Sequence, residues 1–111
     1  MLKGIYHVHF AANNNNFGEG LVVVDEGHVN GGDYGYLYQG RFDYYGNDIK
    51  ATIEVKHYNG PPNSVIGPLK EFTLNLSGET TGDRFEIAGG IMNIPNMSIK
   101  ISGKKVADLF E

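Results

Sequence analysis

Apolar and polar residues alternate with a period of two along almost the whole chain, and this pattern most limits the folds open to it. Successive side chains of a strand point to opposite faces, so the pattern describes strands with one buried and one wet face, the habit of antiparallel sheets. The clearest run is Ile49 to His57, where Ile49, Ala51, Ile53, Val55 and His57 oppose Lys50, Thr52, Glu54 and Lys56. Phe72, Leu74 and Leu76 repeat it, as do Phe85, Ile87, Gly89 and Ile91, and then Met97, Ile99 and Ile101. Nearer the start, Leu2, Gly4, Tyr6, Val8 and Phe10 share a face opposite Lys3, Ile5, His7 and His9. Tyr34, Tyr36, Tyr38, Gly40, Phe42 and Tyr44 form an aromatic stripe at the same spacing. Leu21-Val22-Val23-Val24 is unbroken, which predicts a strand covered on both sides.

Composition explains the interruptions. Sixteen glycines and eleven asparagines in 111 residues are too many turn formers for a helical bundle. They cluster between the runs: Asn13 to Asn16, Glu26-Gly27, Asn30 to Asp33, Tyr45 to Asp48, Gly78 to Gly82, and Asn93 to Asn96. Seven or eight short strands at this spacing suggest a meander that closes into a barrel or folds into a sandwich, as a single domain over residues 1–111. Closure would remove the sticky edges of an open sheet. The long connection from Tyr58 to Pro68 cannot be strand. Its Pro61-Pro62 pair, with Asn63 as an N-cap, predicts one short helical turn over 63–67 that ends at Gly67. No helix longer than about two turns is expected.

Charge and motifs then narrow the function. The formal net charge is −4, and no basic run exceeds Lys104-Lys105, so direct nucleic-acid binding is disfavoured. No apolar stretch reaches the roughly 18 residues of a membrane span, and nothing at Met1-Leu2-Lys3-Gly4 reads as a signal peptide. A cytoplasmic protein without membrane association is expected. The absence of cysteine excludes disulfides, thiolate metal sites and cysteine nucleophiles. No nucleophile elbow, phosphate loop or zinc-protease motif occurs. Gly18-Glu19-Gly20 lacks the third glycine and the following helix of a phosphate cradle. No catalytic residue and no cofactor is expected.

Among histidines, His7-x-His9 places two imidazoles on one face of a strand, as metal ligands require. A third ligand would have to come from His28, His57 or an acid, and no motif supplies one, so no functional transition metal is expected. His57 ends an otherwise buried face and reads as a rim or core histidine bonded to backbone rather than a catalytic base. Asp33, after two glycines, reads as an Asx turn that opens the aromatic strand. Asn75-Leu76-Ser77 and Asn96-Met97-Ser98 match the glycosylation sequon by chance in an asparagine-rich chain.

The tyrosine stripe carries most information. Five tyrosines between Tyr34 and Tyr45 are many hydroxyls to bury, and each needs a partner. Core packing, a dimer interface and a ligand cavity all remain open. An eight-stranded interior cannot hold every aromatic, so some of Tyr34, Leu37, Tyr44 and Tyr45 should lie outside as an apolar patch that a second copy covers. The alternative is a calyx lined by Tyr6, Tyr36, Tyr38, Ile53 and Phe85.

Several short motifs occur in a familiar order: Gly4-Ile5-Tyr6, Gly18-Glu19-Gly20, Gly31-Gly32-Asp33, Tyr38-Gln39-Gly40, His57-Tyr58, Ser64-Val65 and Phe72-Thr73-Leu74. In order and spacing the chain resembles the GrlR-type family of small bacterial negative regulators of type III secretion, over nearly its whole length. The resemblance implies a lipocalin-like eight-stranded up-and-down barrel, a homodimer, and a cytoplasmic role in binding a transcriptional activator without enzymatic activity. It also implies a partner-binding loop after the Tyr-Gln-Gly strand, where the founding regulator carries consecutive acids. The matching stretch here is Asp43, Tyr44, Tyr45, Gly46, Asn47 and Asp48, with two separated acids.

Overall fold

A computed structural model describes residues 1–111. The chain forms eight strands: β1 (Gly4–Ala12), β2 (Phe17–Asp25), β3 (His28–Gly32), β4 (Tyr36–Tyr45), β5 (Asp48–His57), β6 (Glu71–Thr81), β7 (Arg84–Ile91) and β8 (Ile94–Ala107). Each pairs antiparallel with its neighbour in sequence, and β8 returns to β1, from Ile5↔Ala107 to Ala12↔Ile99. The sheet is a closed barrel with no helix and no free edge.

Alternation settles the inside. Tyr6, Val8 and Phe10 of β1, Ile49 to Val55 of β5, and Ile99 and Ile101 of β8 supply buried residues in step with the pattern, and no polar or charged residue is fully buried. Glu26 and Gly27 both take positive φ, as a two-residue hairpin turn between paired Asp25 and His28 requires. The glycine excess has a second cause within the strands. A Cβ on Gly40 would stand 1.9 Å from the Thr52 carbonyl oxygen, and one on Gly78 would stand 1.8 Å from that of Glu86. Glycine there lets neighbouring backbones crowd together as the sheet curls to close.

Two expectations fail. Residues 63–67 form no helical turn. Ser64 and Gly67 instead exchange backbone hydrogen bonds of 2.9 and 3.1 Å, and the Ser64 hydroxyl also donates to the Gly67 carbonyl. A single helical turn fixes several dihedrals for one bond, Pro68 disfavours helix at Gly67, and the serine hydroxyl offers the backbone another partner. The run Leu21–Val24 is covered on one side only: Val22 and Val24 are buried, whereas Leu21 is 52% and Val23 37% exposed. In a closed barrel the outward members of a strand have no second layer above them.

Candidate functional site

The up-and-down path puts the β1–β2, β3–β4 and β5–β6 connections at one end of the barrel. The β2–β3, β4–β5 and β6–β7 turns lie at the other. At the first end a cavity of about 490 Å³ enters the interior. Its walls are mostly apolar and include Val8, Phe10, Val22, Val55 and Ile99. Of the proposed calyx residues, Tyr36, Tyr38, Ile53 and Phe85 line it. Tyr6 does not. It is buried beyond the cavity floor with its ring 5.6 Å from that of Phe85. Phe42 stacks edge-on against Phe85 at 5.1 Å, and these aromatics plug the far end. Gly103 makes room for the plug, since a Cβ there would collide with the Phe85 ring.

The mouth is held by a polar frame. Asp33 Oδ1 accepts the backbone N–H groups of Gly35 and Tyr36 at 2.9 and 2.8 Å, the Asx turn expected from sequence, and Oδ2 accepts the Tyr38 hydroxyl. Tyr36 donates its hydroxyl to the Leu69 carbonyl, so Tyr36 and Tyr38 both find protein partners at the mouth. Burial is the main cause that raises the pKa of Tyr38 far above that of free tyrosine, and the Asp33 carboxylate adds to it. The long connection lies across this end as a strap. On one side Tyr58 donates to the Asp33 carbonyl and Asn59 to that of Tyr34. On the other, Asn14 and Asn16 donate to the Val65 carbonyl at 2.9 and 3.1 Å. The asparagine tip, which reads from sequence only as a turn, therefore clamps the strap. His57 sits at the same rim, and its Nε2–H donates to the Gly60 carbonyl.

The outer wall carries two further groupings. On β2–β4, Leu21 pairs with Gly32 and Gly32 with Leu37, so one glycine separates two exposed leucines. Leu37 Cδ2 lies 3.5 Å from the position a Gly32 Cβ would take, so the side chain leans into that gap. Val23 and half-buried Ile5, partners across β1 and β2, extend the apolar strip. On β1–β2, His7, His9 and Glu19 converge, with Glu19 Oε2 3.2 Å from His7 Nε2 and 3.7 Å from His9 Nδ1.

Residues 1–109 match the family described as T3SS negative regulator, GrlR. The chain belongs to the GrlR family. No curated protein matches it. Membership makes this a chain of a regulator family. The stretch Asp43 to Asp48, expected from sequence to be a partner-binding loop, forms the end of β4, the turn and the start of β5. In this GrlR-family barrel the hairpin tip lies at the end opposite the cavity mouth. Tyr45 is 61% exposed with the Lys50 ammonium 5.8 Å above its ring, Asp43 pairs with Arg41 at 3.4 Å, and the Asn47 carbonyl accepts the Thr80 N–H. Asp48, Asn47 and Tyr45 thus face solvent. Tyr44 turns inward against Phe42, and its buried hydroxyl has no hydrogen-bond partner.

The four residues expected to share a dimer patch do not come together. Tyr34 and Leu37 belong to the mouth end, while Tyr45 lies eight residues further along β4, roughly 26 Å away at about 3.3 Å per residue. The residues that do gather around Leu37 are Leu21, Val23 and Ile5, missed in the sequence because their contiguity depends on which strands pair.

Proposed function

We propose that this protein is a negative regulator of type III secretion that acts in the cytoplasm as a homodimer, by non-catalytic contact with a protein partner such as a transcriptional activator. Family membership carries this reading. The exposed strip of Leu21, Val23 and Leu37 supports it, because apolar side chains interrupted only by Gly32 offer one continuous patch for an isologous contact between two copies. The solvent-facing hairpin of Asp43, Tyr45, Asn47 and Asp48 supplies acids and an aromatic for a second partner at a separate place. Affinity capture from the native host, comparing wild type with a chain carrying Asp43→Ala, Tyr45→Ala and Asp48→Ala, tests it. A regulator that works through this hairpin loses its captured partner in the triple variant and keeps its dimer.

A second reading is favoured by the cavity. Its volume of about 490 Å³ lies within the range of small-molecule sites, and its walls are mainly apolar. The hydroxyls of Tyr36 and Tyr38 are already committed to Leu69 and Asp33, so the interior offers a ligand contact area but few free donors. An apolar body with a polar group left at the mouth suits it. Fluorescent fatty-acid analogues displaced by native-host lipid extract would reveal such a ligand, and Ile53→Trp, which fills the cavity, should abolish the signal.

A further inference from the structure

We propose that His7, His9 and Glu19 form a binding site for one divalent transition-metal ion, zinc foremost, on the outer wall of β1–β2. In sequence the two imidazoles lack a third ligand; the strand pairing supplies it. Glu19 stands directly across from His9, and His7 follows two residues along the same face. One ligand atom from each residue lies within 4.8 Å of the other two. Two donors bonded to zinc at about 2.0–2.1 Å and a tetrahedral angle are about 3.3 Å apart. The two observed histidine–carboxylate separations, 3.2 and 3.7 Å, already bracket that value. All three side chains are partly exposed, and the two imidazole rings already meet edge-on with centroids 4.4 Å apart. Two imidazoles and a carboxylate form a donor set that zinc accepts with a fourth position left for water or an outside ligand. Strand pairing sets one like charge beside the site, Lys104 across from His7 on β8, but it is exposed and long enough to turn its ammonium into solvent. Bound there, the ion would tie β1 to β2 and stabilise the folded barrel by mass action.

The test uses the full chain without a histidine tag, stripped of metal and titrated with zinc chloride by calorimetry. One ion per chain is expected, with a rise in melting temperature. His9→Ala and Glu19→Gln should each weaken binding roughly tenfold or more and remove the thermal shift, since each takes away one of three ligands. His28→Ala, an exposed histidine on β3, should behave as wild type. Far-UV spectra establish that the variants keep their sheet. Absence of saturable binding at micromolar zinc overturns the proposal. So does binding that survives Glu19→Gln, or binding that is lost on His28→Ala.

Discussion

Tyr38 reaches from the inner face of β4 to donate its hydroxyl to Asp33, and the same carboxylate closes the β3–β4 turn through two backbone N–H groups. One acid thereby joins the cavity wall to its rim. Tyr44, six residues further along the same strand face, has its hydroxyl buried without a partner. The two tyrosines should respond oppositely to loss of that hydroxyl. Tyr38→Phe removes a bond to a charged acceptor and is expected to cost about 1.5–3 kcal/mol. Tyr44→Phe removes an unsatisfied polar group and should leave stability unchanged or raise it by about 1 kcal/mol. Urea melts of the two variants decide it.

Burial is also the main cause that raises the pKa of Tyr6, Tyr36, Tyr38 and Tyr44 in the folded barrel. In the unfolded chain these phenols ionise near pH 10, so above about that value the unfolded state sheds protons that the folded state keeps. Their contribution is fully present below about pH 10 and declines as pH rises through the folded values. Stability should therefore fall from about pH 10 upward, with a shallower slope in Tyr38→Phe, as denaturant melts across the alkaline range would measure.

Ile53 lies buried at the centre of β5 while its neighbour Thr52 faces solvent. Ile53→Ala should cost roughly 2–5 kcal/mol. Thr52→Ala should cost less than about 0.5 kcal/mol. Chemical denaturation that ranks them in the reverse order would invert the inside and outside of the barrel.

Gly40→Ala should be as damaging as a core truncation although it adds only a methyl group, because the new Cβ would meet the Thr52 carbonyl. A loss of at least about 2 kcal/mol is expected, since the obstacle is backbone that a side-chain rotation cannot relieve.

Light scattering tests the dimer. Leu37→Asp and Leu21→Asp each place a carboxylate in the apolar strip and should yield monomers that keep their sheet spectrum, as an unpaired charge in such a contact costs about 3–5 kcal/mol. Tyr45→Asp, at the other end of β4, should leave the mass unchanged. A wild-type chain that is monomeric at micromolar concentration would remove the interface.

Much of the barrel is legible in the sequence because a strand's inside and outside are a local property. The alternation from Ile49 to His57 and from Phe85 to Ile91 names the buried residues before any partner strand is known, and Asp33 after two glycines announces its own turn. Relationships between strands are not local. Nothing in the spacing of Leu21 and Leu37 shows that Gly32 will lie between them, nor that Glu19 will complete the pair His7 and His9. Nor does the run Asn13 to Asn16 reveal that it will hold the strap at Val65. The unbroken apolar run Leu21–Val24 and the proline-flanked segment at 63–67 misled for the same reason, since whether a second layer or a helical turn forms depends on what the closed sheet puts beside them. Local periodicity determined the strands and their faces; register and closure decided the cavity, the apolar strip and the histidine–carboxylate cluster, because only the pairing of distant backbones brings those side chains within reach of one another.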